Sequence, residues 1–234
     1  MRRRNPMTCR GFTLAEVLIT LGIIGVVAAL AIPTLISNNN KRVVETRLAK
    51  FYSNINNAIE LSEVENGPKE KWESIGPEYP MIDWYNKYLQ PYLVTSKVEN
   101  EEDAATGGSV LIYFADGSLV SWYSGGVTFY PKSSDYEYFT ANSVSGRDFN
   151  GRKAFRFLFA PAGATYNTSD IARFKYHVGK GVEPYAFDWD GTENKLINDS
   201  KYGCYVNSQT NLYYCTQLIR ANGWKIPDDY PLKF

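Results

Sequence analysis

One carboxylate, Glu16, stands inside a run that is otherwise apolar from Phe12 to Ile36. A charge at the centre of a bilayer costs about 2.5–3.5 kcal/mol on insertion scales, so this side chain needs a partner or a wet interface. Other residues able to do chemistry are few. His177 is the only histidine. A Ser-His-Asp or Cys-His nucleophile would have to use it, and no nucleophile motif accompanies it, so a surface or half-buried structural role is expected. "FDWDGTENKLIND" gathers Asp188, Asp190, Glu193, Asn194 and Asp199. Calcium takes carboxylate and amide oxygens at alternate loop positions, which makes Asp188 and Asp190 the leading metal candidates, with "DFNG" at 148–151 a weaker pattern of the same kind. The loop is not an EF-hand, because Thr192 is fifth, Glu193 sixth and Asp199 twelfth; Asp-Gly is equally a common turn. There is no P-loop, dinucleotide fingerprint or zinc spacing. These absences predict a protein that is not an enzyme and has no cofactor, calcium apart.

Charge is zero overall but uneven. Arg2, Arg3, Arg4 and Arg10 precede the apolar run with no acid among them, and the rest of the chain holds 21 basic against 25 acidic residues, a net charge of −4. No basic stripe with interleaved aromatics points to nucleic acid. The run of 25 residues would make a helix of about 37 Å, enough to span with some tilt. By the positive-inside rule the arginines stay cytoplasmic and everything beyond Ile36 is exported. Cys204 and Cys215 are then on the oxidising side, where such a pair is most simply a disulfide, and Cys9 is on the reducing side. A plain anchor leaves Glu16 unexplained. A secretory signal peptide would be cut after Ala31 of Ala29-Leu30-Ala31, but Glu16 interrupts it and Pro33 would follow the cut.

"GFTLAEVLITLGIIGVVAALAIP" closely resembles the N-terminal signature of type IV prepilins and type II secretion pseudopilins. The resemblance implies a basic leader ending in Gly11, cleavage by a prepilin peptidase between Gly11 and Phe12, and N-methylation of Phe12. Glu16 falls at the fifth mature position and Pro33 at the twenty-second, as in that family. It further implies that Glu16 meets the Phe12 amine of a neighbouring subunit during filament assembly. Gly22, Gly25 and the nearby alanines would let neighbouring helices approach closely, and Pro33 should kink or open the helix. Other subunits, an inner-membrane assembly platform and, before assembly, membrane lipid are the implied partners. The implied location is the bacterial cytoplasmic membrane, single-pass, with the C-terminal domain periplasmic or extracellular.

These residues need elements to position them. Val44, Leu48, Phe51, Ile55, Ala58 or Ile59, and Ser62 recur in steps of four and three, one face of a helix. The spacing predicts a helix from about Phe12 to Val64 that ends near Asn66-Gly67-Pro68, with its exported half laid on a sheet. "WYNKYLQPYL" suits a short helix and "VENEEDAATGGS" an exposed acidic loop. In "SVLIYFADGSLVSWYSGG" two apolar runs flank Asp116-Gly117, a type I′ hairpin signal. "KAFRFLFAP" reads as a further strand. The fold class expected is α+β: a long N-terminal helix packed on an antiparallel sheet, pilin-like, with a disulfide-tied C-terminal region. The expected divisions are a leader over 1–11, a transmembrane and polymerisation helix over 12–36, its amphipathic continuation over 37–66, and an exported β-rich head over 67–234. The function expected is a pilin or pseudopilin of a type II secretion pseudopilus or type IV pilus-like filament. The alternative is a minor pilin or a ligand-binding module secreted behind an ordinary signal peptide.

Overall fold

The computed structural model describes residues 12–163, 172–206 and 210–234. The chain forms two compact units, Met1–Asn40 and Lys41–Phe234. Helix α1 (Leu14–Asn66) contributes to both. In the first unit its side chains from Phe12 to Ile36 are exposed, apart from half-buried Ala28. This stretch is apolar enough, and the helix long enough, to cross a membrane.

In the second unit α1 buries Val44, Leu48, Phe51, Ile55, Ala58, Ile59 and Ser62, the face the periodicity predicts. Phe51 sits at its centre. Its ring stacks on Phe129 at 4.6 Å and meets Phe157 edge-on at 5.1 Å. The polar flank of the helix is tied down as well. Glu45 pairs with Lys225 at 2.8 Å and accepts from the Ile226 N–H. The Arg47 guanidinium donates to the carbonyls of Asp116 and Pro131. The helix ends at Asn66, as the Asn-Gly-Pro stop predicts.

After helix α2 (Met81–Tyr88), which overlaps the expected short helix but starts before Trp84 and stops before its proline, come β1 (Lys97–Glu101), β2 (Ser109–Tyr113), β3 (Leu119–Tyr123) and β4 (Gly126–Tyr130). Helices α3 (Ser133–Ala141) and α4 (Gly146–Phe149) follow, then β5 (Phe155–Phe159) and β6 (Val182–Pro184). Two short helices, α5 (Glu193–Asn198) and α6 (Cys215–Ala221), complete the set. The six strands form one sheet in the order β1-β2-β3-β4-β5-β6, with every neighbouring pair antiparallel. The architecture is α+β and pilin-like: a long apolar N-terminal helix whose later turns pack on an antiparallel sheet.

Both faces of this sheet are covered. Val110 and Ile112 of β2 join the main core with α1, while Leu111 joins a second cluster with Leu119, Tyr130, Phe149 and Ala154. Tyr136 and Phe139 of α3 pack on that second cluster. Since successive strand residues point to opposite faces, a strand buried on both reads as a continuous apolar run, which is why "SVLIY" lacks alternation.

Two local expectations are corrected. The β2–β3 connection is not a type I′ turn. The Gly117 N–H bonds to the Phe114 carbonyl and the Phe114 N–H to the Ser118 carbonyl. Only Gly117, at φ +79°, is left-handed, whereas a type I′ turn needs positive φ at Asp116 too. This is a three-residue loop, a type I turn closed by a glycine bulge. The "VENE" of the supposed acidic loop is the edge strand β1. Charged side chains on an edge strand keep it from pairing with another chain, and they also hide it from a pattern search for apolar alternation.

Candidate functional site

The N-terminal unit holds the residues the prepilin-like spacing singles out. Gly11 lies outside the described residues, as do the leader arginines and Cys9. Phe12 is 88% exposed. Thr13 precedes the helix, and its carbonyl accepts the first helical bond, from the Val17 N–H. Thr13 Oγ1 accepts from the Glu16 N–H at 3.2 Å, while Glu16 Oε2 accepts from the Thr13 N–H and from the Thr13 hydroxyl, both at 2.8 Å. This is a reciprocal capping box, which satisfies two backbone donors that a helix start otherwise leaves orphaned. Thr13-x-x-Glu16 is the sequence signature of this cap, and neither a charged partner nor a wet interface accounts for it. Both bonds fall on Oε2. Among the described residues, Glu16 Oε1 accepts none.

Farther along, a Cβ placed on Gly22 or Gly25 would meet nothing within 4 Å. Both positions are flat patches on an exposed apolar surface. The helical assignment runs through Pro33, whose missing N–H leaves the Ala29 carbonyl without its usual partner.

In the second unit Cys204 and Cys215 form a disulfide, and both are fully buried. The bond opens helix α6 and closes a loop across ten intervening residues. The two calcium candidates have other engagements. Asp188 faces Arg173 at 3.5 Å and has φ +64°. Asp190 Oδ1 accepts from the Thr192 N–H and hydroxyl, at 2.8 and 2.7 Å, and Thr192 in turn caps α5. These contacts hold the carboxylate of Asp190 below its ordinary pKa. Among the described residues no three acids, histidines or cysteines gather as a metal cluster would require.

His177 departs from expectation, because it is fully buried. Its Nε2 accepts from the Ala186 N–H at 3.1 Å, which leaves the proton of the neutral ring on Nδ1. Burial, helped by the nearby Lys180 charge, pushes its pKa down to about 4. The ring is a neutral core acceptor whose basic nitrogen is already in use. Sequence reasoning missed a second polar cluster. Glu183 of β6, mostly buried, faces Arg220 of α6 at 3.2 Å and accepts from the Tyr52 hydroxyl of α1 at 3.1 Å. Burial pushes the Glu183 pKa up, against the pull of Arg220. Tyr52 lies more than a hundred positions from the other two, and Glu183 and Arg220 sit on different elements, so no local pattern could announce them.

Two family models match the chain, one over its N-terminal segment and one over the rest. Residues 6–32 match the Prokaryotic N-terminal methylation motif. That match establishes a prepilin-type N-terminus of the type IV pilin and pseudopilin kind, and with it a pilin-like subunit fitted for membrane anchoring before assembly. No curated protein and no solved structure matches the chain. Residues 34–234 match a family model described as Family of unknown function (DUF6613), and the chain belongs to that family.

Proposed function

We propose that this chain is a structural filament subunit, made as a prepilin and polymerised through its N-terminal helix. A prepilin peptidase hydrolyses the Gly11–Phe12 bond and the new Phe12 amine is methylated. Until assembly the subunit waits in the cytoplasmic membrane, single-pass, N-terminus inside and head outside. The observation that carries this reading is the apolar, exposed surface of residues 12–36 with one carboxylate four positions after Phe12. Such a surface suits lipid first and other helices afterwards, and its glycines suit close helix approach.

The capping box supports a division of labour within one carboxylate. Oε2 holds the start of its own helix. Oε1 is left to accept from the charged Phe12 amine of a neighbour. An ion pair so placed in low dielectric is worth keeping only when both charges are matched, so it favours one axial register over its neighbours. The filament is a type II secretion pseudopilus or a type IV pilus-like fibre, and the partners are the peptidase, like subunits and an inner-membrane platform.

The test is mass spectrometry of the mature N-terminus from cells with and without prepilin peptidase activity. Methylated Phe12 that depends on the peptidase is the expected result; Ile32 at the N-terminus would instead show signal-peptide cleavage. With processing established, Glu16→Ala should leave membrane insertion intact and abolish incorporation into filaments. Scoring the deletion strain for secretion, surface motility and DNA uptake then assigns the machine.

A further inference from the structure

A cavity of about 550 Å³ opens between α5, α6 and the C-terminal segment. Its volume lies in the range of small-ligand sites. Trp189, Tyr205, Pro227 and Pro231 supply rings to its wall, and Glu193 and Asp229 supply carboxylates. Among the described residues no lysine, arginine or histidine lines it. Neither carboxylate has a hydrogen bond or ion pair among the described residues. The indole of Trp189 is held in place: its ring packs on Tyr176 at 4.5 Å and its Nε1–H donates to the Thr192 carbonyl at 2.8 Å.

Rigid aromatic faces attract cations through their quadrupoles, and two unneutralised carboxylates add to that field. Aromatic and proline walls also accept methylene groups. The lining therefore favours cations over anions. We propose that this cavity binds an organic cation, a primary ammonium or guanidinium on a short aliphatic stem, either as a free amine or as a lysine or arginine side chain of another polypeptide. This inference does not rest on the filament reading, since the cavity lies wholly within the second unit.

The test follows the Trp189 indole ¹H–¹⁵N signal of the full chain in detergent, assigned through Trp189→Phe. The probes are acetyl-Gly-Lys-Gly-amide, its arginine and norleucine analogues, and n-butylamine. The lysine and arginine peptides should shift the signal saturably and more weakly in high salt, while norleucine, with the same stem and no charge, should not. Butylamine binding as tightly as the peptides assigns a free amine; tighter peptide binding assigns a side chain. Glu193→Gln and Asp229→Asn, both exposed substitutions, should each weaken binding about threefold and together about tenfold, the size expected for half-solvated ion pairs. An equal shift with norleucine, no shift with any cation, or a double variant that melts as the wild type does and binds undiminished would overturn the proposal.

Discussion

At the scale of single residues, Glu16 carries two roles that substitutions can separate. Thr13→Ala removes the cap and leaves the carboxylate, at a cost of about 1 kcal/mol in local helix stability. Filament yield should then fall only modestly. Glu16→Gln keeps a side chain able to cap but removes the charge, and yield should collapse. Quantifying sheared filaments from both variants checks this, and equal losses would assign Glu16 to capping alone. His177 gives a separate test by pH. Its folded pKa, about 4, lies below the ordinary value of 6.5. Between these values the unfolded chain binds a proton that the folded chain refuses. The stability held through the neutral ring is therefore complete above pH 6.5 and is lost as pH falls toward 4, by about 3 kcal/mol in all. A His177→Gln variant lacks this loss, so the gap between wild type and variant in denaturant midpoint should narrow from pH 7 to pH 4.5. A constant gap would mean that the imidazole does not titrate in that window.

At the scale of elements, the far edge of the sheet shows how helix and strand fix each other. The side-chain amide of Asn56 in α1 imitates a seventh strand. Its Nδ2 donates to the Val182 carbonyl and its Oδ1 accepts from the Val182 N–H, both at 2.9 Å. Val182 is fully buried, so these groups have no water to turn to. Asn56→Ala should cost about 1–3 kcal/mol and lower the melting temperature by several degrees. Gly181 must let that amide approach: a Cβ there would lie 1.9 Å from Asn56 Oδ1. Gly181→Ala should cost at least as much, and combining the two changes should be less than additive because they disturb one contact. Calorimetry of the three variants decides this. Nothing local in the sequence marked the pair, because 126 positions separate Asn56 from Val182. What was legible had a short period: the buried face of α1, the strand-turn-strand around Gly117, and β5. The edge strand β1 was lost because its charges replace the apolar alternation, and α5 and α6 because six or seven residues give too few turns for a helical period to emerge. The candidate site was legible in its spacing and hidden in its partners. The fifth-position carboxylate stood out at once, yet its Thr13 cap went unread.

At the scale of the whole molecule, the two units answer to different solvents. The main core begins at Val44 and draws nothing from residues 12–40. It is closed instead by strand pairing, by α1 from Lys41 onward, and by the buried Cys204–Cys215 bond. The exposed apolar side chains of the first unit would cost about 25 cal/mol per Å² if left in water, so they demand lipid, detergent or other helices. Stability and assembly should therefore come apart. A chain starting at Lys41 should be soluble without detergent, keep its disulfide, and melt within a few degrees of the full chain in detergent. It should not enter membranes or filaments. Calorimetry under non-reducing conditions measures the first property, and flotation with fractionated cells measures the second. Loss of cooperative melting in the shortened chain would show that the head depends on residues 12–40. Retained incorporation into filaments would remove the polymerisation role assigned to them.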